Sequence, residues 1–218
     1  MKPELNHKIK TTQHHYVKGE LLEEMIEKDP IKQFGLWLHE AFEEGDVIAN
    51  TMALSTVNEF NMPSSRIVLL KDATDRGFTF FTNYNSTKSK NLSINSNAAL
   101  LFFWKAMERQ VCVQGKIVKI KETESIAYFN TRPRESQIAA WASNQSEKIT
   151  GRKDLELNYA KFEKKFERLK EIPKPELWGG FMLIPTTIEF WQGREHRLND
   201  RIIYTFADAK WKIERLAP

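Results

Sequence analysis

Apolar residues recur in this chain at two periods, and the switch between them divides it into stretches. Residues 1–28 keep neither period and are expected to form a mobile arm with one helical turn at most. Asp29-Pro30 has the cap and first-turn residues of a helix start, and Phe34, Trp37, Leu38, Ala41 and Phe42 then repeat at helical spacing until Gly45-Asp46 ends the run. From Thr51 the pattern becomes strand-like: Thr51–Val57, Ser64–Leu70, Phe78–Thr82, Ala98–Trp104 and Gln110–Ile120 are short strands, interrupted by a helix over Ser86–Asn95. Helical periods return at Thr123–Asn130, Glu135–Ser143 and Lys153–Glu171, the last with Leu155, Tyr159, Phe162, Phe166 and Leu169 as its buried stripe and Pro173 and Pro175 beyond it. Strands follow at Phe181–Ile184, Thr187–Trp191, Arg201–Phe206 and Trp211–Arg215. Strands at this spacing with helices between groups predict one α+β domain over 29–218, an antiparallel barrel decorated by helices.

Composition narrows the setting. At 218 residues, 41% hydrophobic and 28% charged, the chain can bury a real core, and no run approaches the ~18 apolar residues of a membrane span. The polar N-terminus does not suggest a secretion signal, and one cysteine fits a reducing, cytoplasmic setting. Cys112 alternates with valines, as a structural thiol does. The adjacent His14-His15 has no matching ligand cluster, so no metal site is expected. A net charge of +4 favours anionic partners.

The cations are where chemistry gathers. Arg194, Arg197 and Arg201 crowd a turn between two strands, more guanidinium than a turn needs and suited to phosphate or carboxylate. Arg66 and Lys71 bound a core strand and can grip an anion along it, with Arg66, Val68 and Leu70 on one face. Ser86-Thr87-Lys88 lies at a helix start, where free N–H groups attract anions. Arg132-Pro133-Arg134 links two helices with Tyr128 one turn before, while Gln110, Gln145 and Ser146 add polar groups able to read a heteroaromatic edge. Capping, edge charge and solvation account for each of these taken singly. Arg76-Gly77-Phe78-Thr79-Phe80-Phe81 partly matches an RNA-binding signature, but the order of elements departs from that fold, so nucleic acid is not an expected partner.

Taken together, Ser65–Lys71, Phe81-Thr82-Asn83, Glu108–Val111, Tyr128-Phe129 through Arg132-Pro133-Arg134 to Ser136-Gln137-Ile138, Trp178–Phe181, Trp191-Gln192-Gly193 and Trp211–Pro218 resemble the pyridoxine/pyridoxamine 5'-phosphate oxidases, in order from about Asp29 to the end. The resemblance implies an FMN-binding split barrel, Greek-key-like, that dimerises with FMN at the subunit interface. It implies oxidation of pyridoxine or pyridoxamine 5'-phosphate to pyridoxal 5'-phosphate, with O2 as acceptor and H2O2 as product. By the same resemblance Arg66, Ile67, Val68, Leu69, Leu70, Lys71, Phe81, Thr82, Thr87, Lys88, Gln110, Gln145, Ser146, Trp191 and Arg201 occupy flavin positions. Lys71, Tyr128, Arg132, Ser136, Arg197, Asn199 and Tyr16 occupy substrate positions, with Arg197 and Asn199 catalytic. Three residues depart from the family pattern: Asn199 stands where histidine is usual, Thr87 where a basic residue is common, and Gln13 where arginine is common. The competing reading is a split-barrel FMN carrier or reductase acting on a ligand other than a B6 vitamer.

Overall fold

In a computed structural model, residues 2–12 and 14–218 are described. Six helices, α1 (Pro3–Thr11), α2 (Pro30–Glu43), α3 (Thr87–Ile94), α4 (Glu122–Thr131), α5 (Arg134–Ala142) and α6 (Arg152–Phe166), surround nine strands. These are β1 (Thr51–Val57), β2 (Pro63–Leu69), β3 (Asp72–Thr74), β4 (Gly77–Asn83), β5 (Asn97–Trp104), β6 (Arg109–Lys119), β7 (Trp178–Gln192), β8 (Asp200–Ala207) and β9 (Lys210–Arg215). All pair antiparallel in one sheet, in the order β2-β1-β5-β6-β7-β4-β3, with β8 and then β9 branching from β7.

The organising strand is β7. One edge pairs with β6 over nearly its whole length, while the other is shared, by β4 against residues 178–183 and by β8 against residues 187–192. The sequence pattern breaks this strand in two at Pro185, which cannot donate to a ladder. The structure keeps it whole by placing a bulge there: Gly115 pairs with Pro185, Gln114 with Thr187, and Thr186 is left over. Gly115 permits the approach, since a Cβ there would sit 2.0 Å from the Ile184 carbonyl oxygen.

The core lies inside the curled sheet. Phe34 and Trp37 of α2 plug it, edge to face against Phe78, Phe102 and Phe190 and tilted against Trp104. A second, smaller core under α4–α6 joins Phe129, Ile138, Phe166, Ile172 and Trp178. Phe42, expected in the buried stripe of α2, is exposed instead. The last long helix stops at Phe166 rather than Glu171, because Arg134 caps its end by donating to the Phe166 and Leu169 carbonyls. Leu169 therefore falls beyond the helix and is exposed, and Leu155, inside it, is exposed as well. Cys112 is half-buried on β6, its thiol pushed up by burial and by Glu189.

Near the N-terminus, α1 is a nine-residue helix where one turn at most was expected. Its described side chains are exposed, and its apolar stripe is only the pair Leu5 and Ile9, too short for a periodicity search to find. Residues 14–28 lie against the barrel. The buried Glu108 carboxylate accepts from His14 Nε2 at 3.0 Å, Val17 N at 2.7 Å and Lys18 N at 2.9 Å. Leu21 enters the core, its N–H donating to Asp200, and Glu23 pairs with Arg215.

Candidate functional site

A cleft of about 800 Å³ opens between the outer end of β2, the end of β4, the start of α3 and the α4–α5 corner. Its walls include Arg66, Ile67, Val68, Leu69, Lys71, Phe81, Thr82, Thr87, Lys88, Tyr128, Arg132, Ser136, Gln145 and Ser146, fourteen of the residues singled out from the sequence. The volume is that of a drug-sized or cofactor-sized site. Four walls are cations, and among the described residues no carboxylate lines it.

Two of the cations, Arg66 and Lys88, are held by neutral groups. The alternation of β2 turns Arg66 inward, where Nη1 donates to the Leu54 carbonyl and Thr56 Oγ1 and Nη2 donates to Ser64 Oγ. Lys88, in the first turn of α3, donates to Thr82 Oγ1, Ser86 Oγ and the Gln145 side-chain oxygen, all at 3.1–3.2 Å. Burial, and then the neighbouring Arg66 charge, push the Lys88 ammonium down to about 8. Burial likewise lowers the Arg66 and Arg132 guanidiniums. Arg132 lies over the Trp178 ring at 4.8 Å, and its buried Nη1 has no hydrogen-bond partner among the described residues. A buried donor costs about 1–3 kcal/mol if unpaired, so this donor set is built for an oxyanion.

Aromatic rings form one wall. Phe81 stacks on Tyr128 at 3.9 Å and on Trp178 at 5.3 Å, nearly parallel to both. Trp178 was not among the predicted site residues. Its signal was the Trp178-Gly179-Gly180 run: a Cβ at Gly179 would strike the Tyr84 hydroxyl at 2.2 Å, so the chain needs glycine beside this indole.

The remaining predicted residues are elsewhere. Leu70 turns into the core. Gln110, Trp191 and Arg201 lie where β6, β7 and β8 come together, with Gln110 opposite Trp191 and Trp191 opposite Arg201. Arg201 is engaged with both Glu189 carboxylate oxygens, at 2.8 and 3.1 Å. Tyr16 packs edge-on to Trp191 at 5.3 Å and covers Gly193. In the following turn His196 and Arg197 both have positive φ, 56° and 63°, a costly conformation for residues with a Cβ. Asn199 Oδ1 accepts the Arg194 N–H at 3.0 Å and so closes this turn. Arg194 pairs with Asp200 and Glu20 and ties the turn to residues 14–28, leaving Arg197 exposed as the turn's free guanidinium among the described residues. Gln13 lies outside the described residues. Trp178 and Trp191 stand at opposite ends of β7, roughly 40 Å of contour at ~3.3 Å per residue. Cleft and turn are thus two separate groups on one chain.

Comparison with known proteins fits this geometry. A profile described as pyridoxamine 5'-phosphate oxidase matches residues 38–166, and one described as the pyridoxine 5'-phosphate oxidase C-terminal dimerisation region matches residues 178–218. The chain belongs to the pyridoxamine 5'-phosphate oxidase family. A pyridoxine/pyridoxamine 5'-phosphate oxidase of Leptospira biflexa serovar Patoc is 50% identical over 204 residues, 94% of this chain and 96% of that one. A structure of PhzG from Burkholderia lata 383, in complex with tetrahydrophenazine-1-carboxylic acid, superposes with a TM-score of 0.86 at 25% identity, covering 93% of this chain and all of that one. A pyridoxamine 5'-phosphate oxidase-related, FMN binding protein from Nostoc punctiforme PCC 73102 shares the fold at a TM-score of 0.69 and 15% identity, over 88% of this chain and all of that one. Within the family frame, the cleft's walls fall in the first matched region except for Trp178, which opens the dimerisation region that also holds Trp191–Arg201.

Proposed function

We propose that the chain is an FMN-dependent oxidase, a pyridoxal 5'-phosphate synthase. It converts pyridoxine 5'-phosphate and O2 to pyridoxal 5'-phosphate and H2O2; with pyridoxamine 5'-phosphate, water is also consumed and ammonia released. The observation that carries this reading is a cleft with four cations, no carboxylate among its described residues and an unpartnered buried guanidinium nitrogen. Identity of 50% to a named oxidase supports the substrate class.

Two phosphates divide the cations between them. Arg66 and Lys88, at the positive start of α3, hold the FMN phosphate; Thr82, Gln145 and Ser146, the last accepting from Thr87 N, fix the rest of the cofactor. Lys71, Tyr128, Arg132 and Ser136 hold the substrate phosphate. Bound FMN supplies two-electron acceptance from the substrate's C4' carbon and return of those electrons to O2. The protein's part is to orient the substrate, exclude water and stabilise charge.

A second copy of the chain completes the site. One protomer's cleft faces the partner's Gln110, Trp191, Arg201 and strained turn, so that Arg197 covers the substrate ring and Asn199 orients it. The exposed Ile67, Leu69, Leu101 and Phe103, on β2 and β5 beside the cleft, form an apolar face of the kind an interface covers.

The test is pyridoxal 5'-phosphate formation by purified, FMN-reconstituted protein given each phosphorylated vitamer from about pH 6 to about pH 9. Turnover with H2O2 release is expected. Bound flavin without turnover would assign the chain to another flavoprotein activity, and failure to bind flavin would overturn the proposal.

A further inference from the structure

The mechanism above uses Arg66 but not the groups behind it. The β1–β2 register sets Leu54 opposite Arg66 and Thr56 opposite Ser64. Both hydroxyls face α3, where the buried Asn91 side-chain amide donates to Thr56 Oγ1 at 3.1 Å and Ser64 Oγ at 3.3 Å. The same two oxygens accept from the Arg66 guanidinium at 2.8 and 2.7 Å. We propose that Asn91 is a positioning residue for phosphate capture, acting through Thr56 and Ser64 to aim Arg66 into the cleft. The inference rests on the reading that this end of the cleft takes the FMN phosphate.

Donor accounting supports the role. A guanidinium has five N–H donors. Both on Nη1 go to Leu54 O and Thr56 Oγ1, and one on Nη2 goes to Ser64 Oγ. The Nε–H and the second Nη2–H remain, with no partner among the described residues; together they form the fork that grips an oxyanion with two parallel bonds. The network therefore fixes the side chain while sparing its binding edge. It is also neutral throughout. An aspartate at position 91 would put a carboxylate two hydrogen bonds away from the guanidinium, through Thr56 or Ser64, and offset the charge that Arg66 and Lys88 hold in reserve. Asparagine orients without neutralising.

The test is titration of the apoprotein with FMN and, in parallel, with riboflavin, which has the same ring system and no phosphate, following flavin fluorescence. Asn91→Ala is expected to weaken FMN about three- to tenfold, one neutral hydrogen bond's worth of orientation, and to leave riboflavin affinity unchanged. Thr56→Val, which removes one relay hydroxyl with little change of shape, should show the same selective loss if Asn91→Ala fails to fold. In an Arg66→Ala background, Asn91→Ala should add no further loss. Equal weakening of both flavins, undiminished FMN binding, or additive losses in the double variant would overturn the role. A wild-type protein that does not prefer FMN to riboflavin would overturn the phosphate reading and the inference with it.

Discussion

At the scale of single residues, the cleft is a set of charges kept apart from any counter-charge. Replacing Arg132 by Met should separate the cost of that arrangement from its use. The unpartnered Nη1 is a burden on the apoprotein, so Arg132→Met should raise its thermal midpoint by about 2–4 °C, on the order of 1 kcal/mol, while KM for the phosphorylated vitamers rises at least about tenfold. Thermal melts and steady-state kinetics on one preparation check both. Lys88 gives a pH dependence. Its ammonium is pushed down to about 8, so the charged form is present below that pH and lost as the pH rises through it. A phosphate dianion favours the charged form; FMN affinity should therefore fall between about pH 7 and about pH 9, and binding near pH 8 should take up a proton. Calorimetry in buffers of different ionisation enthalpy would show it. The cations were legible in the sequence, but their partners were not. Arg134 caps α6 and Arg194 serves Asp200 and Glu20, uses that no spacing encodes. Asn91 carried no signal, and Glu108 stood out only within a family motif, because burial of a polar side chain depends on what folds over it.

Among the elements, the segment over residues 14–23 shows how one buried carboxylate organises two distant stretches. Glu108 accepts from His14, Val17 and Lys18 through its side chain, while its own carbonyl accepts from Gly193 N and Gln192 Nε2. Burial alone would raise this carboxyl, but the N–H donors of Lys18 and Val17 and the His14 contact hold it below the usual range. Its folded-state pKa is depressed, so its contribution is present above the ordinary carboxylate pKa and fades as the solution is acidified through the folded one. Glu108→Ala should free the segment at neutral pH and speed tryptic cleavage after Lys18 about tenfold or more; an unchanged rate would show that Tyr16, Leu21 and the Glu20 and Glu23 ion pairs suffice to pin it. Apart from the three-residue β3, the element series from α2 to β9 was legible because most elements turn one face inward at a regular period. The exceptions have physical causes: α1 buries nothing, α6 is cut short by a cap from another helix, and β7 continues through a proline that a bulge absorbs.

For the whole molecule, β7 separates the cleft from the strained turn, so the proposed site needs two copies of the chain. Arg132→Ala and Arg197→Ala should each be nearly inactive. Unfolded together and refolded, they should regain about a quarter of wild-type activity, because half the dimers are mixed and each mixed dimer has one intact site. No recovery would place both groups in one chain's site. The cleft's charge has a consequence beyond catalysis. Holding four cations together falls on every newly made chain and is relieved when its ligands arrive. A ligand that binds only the folded state adds about 2.7 kcal/mol of stability at a hundred times its Kd. The lifetime of this chain against cellular proteases should therefore follow the free FMN concentration. A cell short of flavin would clear the enzyme before its catalysis became limiting, and vitamin B6 supply would answer to vitamin B2 status through protein turnover alone.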